Sequence, residues 1–167
     1  MDDFDSGLCT LSLARMYLYD NLDEGVRCPC CHKFARRYRR RFNGTMARSL
    51  MWLVRAYAET GDWVNVAKTA PRWVVRSNQL PTIRWWKLAI RPADCEDPKL
   101  KHSGSWKPTE KGIAFVNREI KIPSTCVTWN GEVEDLEGDY VDIKEILGVK
   151  FDYSEVMGYT THQWNIL

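Results

Sequence analysis

The cluster Cys28-Pro29-Cys30-Cys31-His32 places three thiols and an imidazole within five consecutive residues, and it constrains the chain more than any other feature. The Cys28-x-x-Cys31 spacing suits a tight turn that aims two thiolates at one metal ion. Redox surroundings decide between a metal and a disulfide. The chain opens with Asp2, Asp3 and Asp5, the reverse of the basic start of a signal peptide, and it has no run of ~18 apolar residues that would span a membrane. The expectation is a cytoplasmic protein with no membrane partner, whose six cysteines stay reduced and favour metal. Cys95 and His102 are the expected partners of Cys28 and Cys31 in a tetrahedral structural zinc site, with Cys30, His32 and Cys9 as alternatives. Cys126, between Thr125 and Val127 in strand-like sequence, reads as a core residue.

Charge divides the chain into three. Residues 1–26 set six acids against Arg15 alone, and residues 128–167 set nine acids against Lys144 and Lys150. Residues 27–127 therefore carry a net +14, hidden within a total of only +2. A basic middle between acidic ends has two explanations. It is a phosphate-binding surface with solubilising or autoinhibitory flanks, or the ends and the middle neutralise each other in the fold. The densest part of the middle is Lys33 to Arg41. If that run is helical, Arg36, Arg37, Arg40 and Arg41 share one broad face. Arginine in place of lysine favours bidentate contacts to phosphate or carboxylate, including an acidic patch on another protein.

Local patterns predict a mixed α+β chain. Thr10 caps a helix to about Leu22, and Asn43-Gly44-Thr45 opens the clearest helix, Met46 to about Thr60, ended by Gly61. Trp63 to Lys68 reads as helical and Trp73-Val74-Val75 as extended. Ser77 or Asn78 then caps a third helix to about Lys87, with Pro81 in its first turn. Strands at Leu88–Ile90 and Trp106–Pro108 flank a polar loop, and Thr109 caps a last core helix packed through Ile113, Phe115 and Val116. Asn130-Gly131 marks a type I′ hairpin, and Asp142 to Leu147 forms a short helix. Three segments follow: 1–42 with the knuckle and basic run, 43–120 as the core, and 121–167 as an acidic extension with a hairpin.

Three helices followed by strand, basic loop, strand and helix is the order of a winged helix-turn-helix. Gly104-Ser105-Trp106-Lys107-Pro108-Thr109-Glu110-Lys111-Gly112-Ile113-Ala114-Phe115 resembles the wing-to-helix ending of such domains. In it, the Thr hydroxyl satisfies helix amides and Gly permits close helix–sheet approach. Together with Cys28-Pro29-Cys30-Cys31, Arg36 to Arg41 and Met46-Ala47-Arg48, the stretch from about residue 10 to 135 resembles small proteins encoded by tailed bacteriophages. The resemblance implies a phage origin, hence a bacterial host cytoplasm, and this fold. It implies no particular activity or ligand set.

In a winged helix the third helix often enters the major groove while the wing touches phosphate. Here those surfaces offer Asn78, Gln79, Thr82, Arg84 and Lys87 on the helix, and Lys99, Lys101, His102 and Lys107 in the wing. One of Trp85 and Trp86 belongs in the core. Catalysis is not expected: no strand precedes Cys28 as a thioredoxin-like motif requires, no His-x-Glu accompanies the cysteines as in zinc deaminases, and phosphate-loop, dinucleotide and nucleophile-elbow motifs are missing. The sequence thus predicts a winged-helix protein with a structural zinc that binds nucleic acid, duplex DNA first, as a regulator or accessory factor. The alternative is a module that docks onto a host or phage protein. A homodimer suits either.

Overall fold

The computed structural model describes residues 10–95 and 104–148. The chain forms two compact units, one from Met1–Arg40 with Val127–Asp135, the other from Arg41–Cys126 with Leu136–Leu167. The architecture is α+β with small antiparallel sheets.

The first unit begins with helix α1, Leu11–Asp20, where the Thr10 hydroxyl accepts a hydrogen bond from the Leu13 amide. Strands β1, Val26–Arg27, and β2, Phe34–Ala35, pair antiparallel with Val26 opposite Ala35 and Arg27 opposite Phe34. Strand β3, Tyr38–Arg41, follows. The basic run is therefore extended, not helical. Its residues alternate between the two faces of a strand, so the single arginine face expected of a helix does not form. Strand pairing overrides the moderate helix propensity of arginine.

Strands β7, Ile122–Trp129, and β8, Glu132–Val141, form a long hairpin, with β7 between β3 and β8. Asn130 at φ 51° and Gly131 at φ 82° make the left-handed pair that a type I′ turn demands. The hairpin's turn end belongs to the first unit and its base to the second.

The second unit is organised by helix α2, Gly44–Thr60, in which the Asn43 carboxamide accepts from the Thr45 and Met46 amides and Gly61 ends the helix in the left-handed region. Met46, Ala47, Leu50, Met51, Leu53 and Val54 form its buried face, at the 3–4 spacing of an amphipathic helix. Strand β4, Val64–Asn65, and helix α3, Val66–Thr69, occupy the stretch expected to be one helix. The Asn65 side chain caps Lys68 and so starts α3 late. Trp73-Val74-Val75 is not extended but lies in helix α4, Arg72–Ser77. Pro71 stands at its N-cap, where a missing N–H costs nothing. Asn78, at φ 45°, ends α4 and does not cap the next helix. Helix α5, Leu80–Ile83, continues as a 3-10 turn over Arg84–Trp86.

Strand β6, Ser105–Pro108, sits between β4 and β5, Ala89–Ile90; Val64 faces Trp106 and Ala89 faces Pro108. Helix α6, Glu110–Val116, is capped by Thr109, whose hydroxyl accepts from Gly112 N and donates to Lys87 O. A Cβ on Gly112 would collide with the Leu88 carbonyl, so the helix meets the chain closely only because the residue is glycine. Trp86, Phe115 and Phe42 centre the core, with edge-to-face ring contacts at 5.1 and 5.7 Å. Trp86 donates its indole N–H to Pro123 O at 2.7 Å, and Cys126 is buried in the same cluster. Helix α7, Ile143–Leu147, closes the described chain with a capping box between Asp142 and Glu145.

Candidate functional site

Three groups of chemically capable side chains stand out, beginning with the cysteine turn. Six residues link β1 to β2, and the Cys28 amide donates to Lys33 O while the His32 amide donates to Cys28 O. His32 takes φ 59° to close this loop. The amides of Cys31 and Cys30 are directed at the Cys28 sulfur, and they hold its thiol below the ordinary cysteine range. A sulfur that accepts two amide hydrogen bonds is stabilised as thiolate, the form that binds metal. Cys28 is half-buried, while Cys30 and Cys31 are exposed. Cys95 lies in the second unit, at the end of a 3-10 turn over Pro92–Asp94, its thiol 3.8 Å from Arg91 O. His102 and Lys101 lie outside the described residues, as do Cys9 and Lys99. Among the described residues no three His, Cys, Asp or Glu side chains gather as a metal site.

The second group is the basic run. Arg37 donates to Glu134 at 2.6 Å and to Asp23 at 3.0 Å, and Arg39 reaches Asp23 at 3.1 Å. Glu134 raises the pKa of the Arg37 guanidinium, while Arg39 and then Arg37 hold Asp23 below the usual carboxylate range. Arg37 and Arg39 thus bind acids of the flanking segments, the internal neutralisation that the charge pattern allowed. Arg36, Arg40 and Arg41 are exposed.

The third group lies in the second unit. The residues expected to read bases are dispersed: Asn78 and Lys87 are exposed, both with positive φ. Gln79 donates to Ser77 O, and Thr82 is buried. Arg84 reaches Asp94 at 2.9 Å, and Arg91 also donates to Asp94. Burial pushes the Asp94 carboxyl up, but bonds from the Arg91 amide and guanidinium, with the charge of Arg84, leave it below its ordinary range. Lys107 lies 5.2 Å from the Tyr57 ring and 6.0 Å from that of Trp63.

Cations in an open arrangement occur instead beside α4. Thr45 and Arg48 from α2 and Arg72, Trp73, Arg76 and Ser77 from α4 line an open groove of about 710 Å³. Among the described residues no carboxylate lines the groove or pairs with its three arginines. Sequence reasoning missed this site because it took Trp73-Val74-Val75 as extended. The signal was Pro71 followed by Arg72 and Arg76 at helical i,i+4 spacing.

No helix among the described residues is long and apolar enough to cross a membrane. No family model, curated protein or solved structure matches the chain.

Proposed function

We propose that the protein binds nucleic acid, with DNA as its partner, and that it acts by binding and not by catalysis. The observation that carries this reading is the Arg48–Arg72–Arg76 groove, where three guanidiniums lie without a described carboxylate partner. Phosphate is the anion such a surface suits, because arginine meets it bidentately. A winged-helix assignment for the second unit is supported by its element order and by the antiparallel order β4-β6-β5, with the returning strand in the middle. A regulator or accessory factor of a tailed phage is the role that accords with the sequence resemblance. We further assign the Cys28–Cys31 pair to a structural zinc; the turn's amides favour the thiolate of Cys28. Cys30 or His32 of the same turn would complete its shell.

Duplex DNA should shift electrophoretically at low salt and be released steeply as salt rises, by about 0.9 log units of affinity per log unit of salt for each phosphate contacted. A shift that stays absent at low salt with folded protein would overturn the reading. That result favours the second possibility, docking onto a protein. Its supporting observation is helix α1, which exposes Leu13, Met16 and Tyr19 at i,i+3 spacing, apolar surface of the kind that marks interaction sites.

A further inference from the structure

The groove beside α4 holds more than a duplex backbone can use. Trp73 is 44% exposed there, between Arg72 and Arg76 in the helix and beside Arg48 of α2. A B-form duplex offers this surface phosphates, sugars and base edges but no base face, since its bases are stacked on one another. Guanidiniums suffice for those phosphates, and the indole then has no counterpart. A ligand that presents both a phosphate and a bare aromatic face uses every group in the groove. The arginines take the phosphate oxygens, the Thr45 hydroxyl is available to phosphate or sugar while that of Ser77 donates to Val74 O, and the indole stacks on the base. Such stacking tolerates any base, because each has a π-face. The volume of about 710 Å³ is within the usual range for pockets that enclose small ligands, roughly 300–1,000 Å³.

We propose that the groove takes an unpaired nucleotide, so that the preferred DNA is a duplex with a single-stranded tail or gap. The proposal rests on the nucleic-acid reading above and narrows it. Fluorescence anisotropy with the full chain tests it on three probes: a blunt duplex, the same duplex with a thymidine tail, and free oligothymidine. The tailed duplex should bind roughly 5- to 160-fold tighter than the blunt one, the span of stacking one base on an aromatic ring. Trp73→Ala should erase that difference, bringing the tailed duplex down to the affinity of the blunt one, while Trp73→Phe should keep most of it. Circular dichroism and melting of each variant check that the exposed position tolerates the change. Equal affinity for blunt and tailed duplex, or a tail preference that survives Trp73→Ala, would overturn the proposal while leaving DNA binding in place. Failure to bind any of the probes at low salt would instead overturn the reading beneath it.

Discussion

The two units solve the problem of holding a small fold together in different ways. Within the described residues the first unit buries few apolar side chains, among them Ala14, Leu22, Ala35 and Val127. Its sequence-distant contacts include the ion pairs of Arg37 and Arg39, and the cysteine turn adds local hydrogen bonds. The second unit supplies every residue of the large core cluster around Trp86 and Phe115. A unit with little core needs a staple, because a small apolar core rarely exceeds ~3–5 kcal/mol. A unit with a full core can leave arginines at its surface. The same residue type is thus a structural cross-link in one region and a candidate ligand contact in the other.

The most severe way to break this comparison is to remove the zinc staple proposed for the cysteine turn. Cys28→Ser or Cys31→Ser should release zinc and abolish amide-exchange protection across Val26–Ala35, since metal binding to such a site is folding free energy. Protection across Leu50–Val54 should persist. Reduced protein that contains no zinc, or a variant that keeps protection in the β1–β2 turn, would remove the staple from the account. Gly112→Ala is the converse test. The new methyl meets the Leu88 carbonyl, and overpacking against backbone should cost the second unit about 1–3 kcal/mol in denaturant melts.

Arg37→Ala should lower the melting temperature of the first unit only slightly, because solvent screens its ion pairs with Asp23 and Glu134, and should leave DNA affinity nearly unchanged. A large affinity loss would show that Arg37 has a ligand role its two carboxylates do not explain. The smallest expected effect is on pH. Asp23 titrates below its ordinary range because of Arg39 and Arg37, so its folded pKa lies under its unfolded one. Its contribution is complete above the unfolded value, ~3.9, and fades as pH falls through the lowered one. Asp23→Asn should therefore melt less acid-sensitively than the parent below about pH 4. Identical acid profiles would remove the ion pair from the stability of this unit.

The sequence made local signals legible wherever a side chain acts on its own neighbours. Thr10, Asn43, Thr109 and Asp142 cap helices through hydrogen bonds three or fewer residues away. Asn130-Gly131 turns a hairpin because two consecutive positive φ angles suit those residues. Errors arose where distant partners decide. The arginine run became a strand because β7 pairs with β3. Trp73-Val74-Val75 became helical because Val74 faces inward while its β-branched neighbour Val75 stays exposed, a choice that tertiary packing makes over β propensity. The arginine face moved accordingly, from the run at 36–41 to a groove whose members come from α2 and α4.

Nucleic acid is expected to meet the groove arginines and not the strand arginines. The most direct measurement is the slope of log affinity for duplex DNA against log salt in two variants. Arg48, Arg72 and Arg76 changed together to Ala should lower the magnitude of the slope by roughly 2.7, about 0.9 for each phosphate that is no longer neutralised. Arg37 and Arg39 changed together should leave it unaltered. An unchanged slope in the groove variant, or a reduced one in the strand variant, would contradict the account.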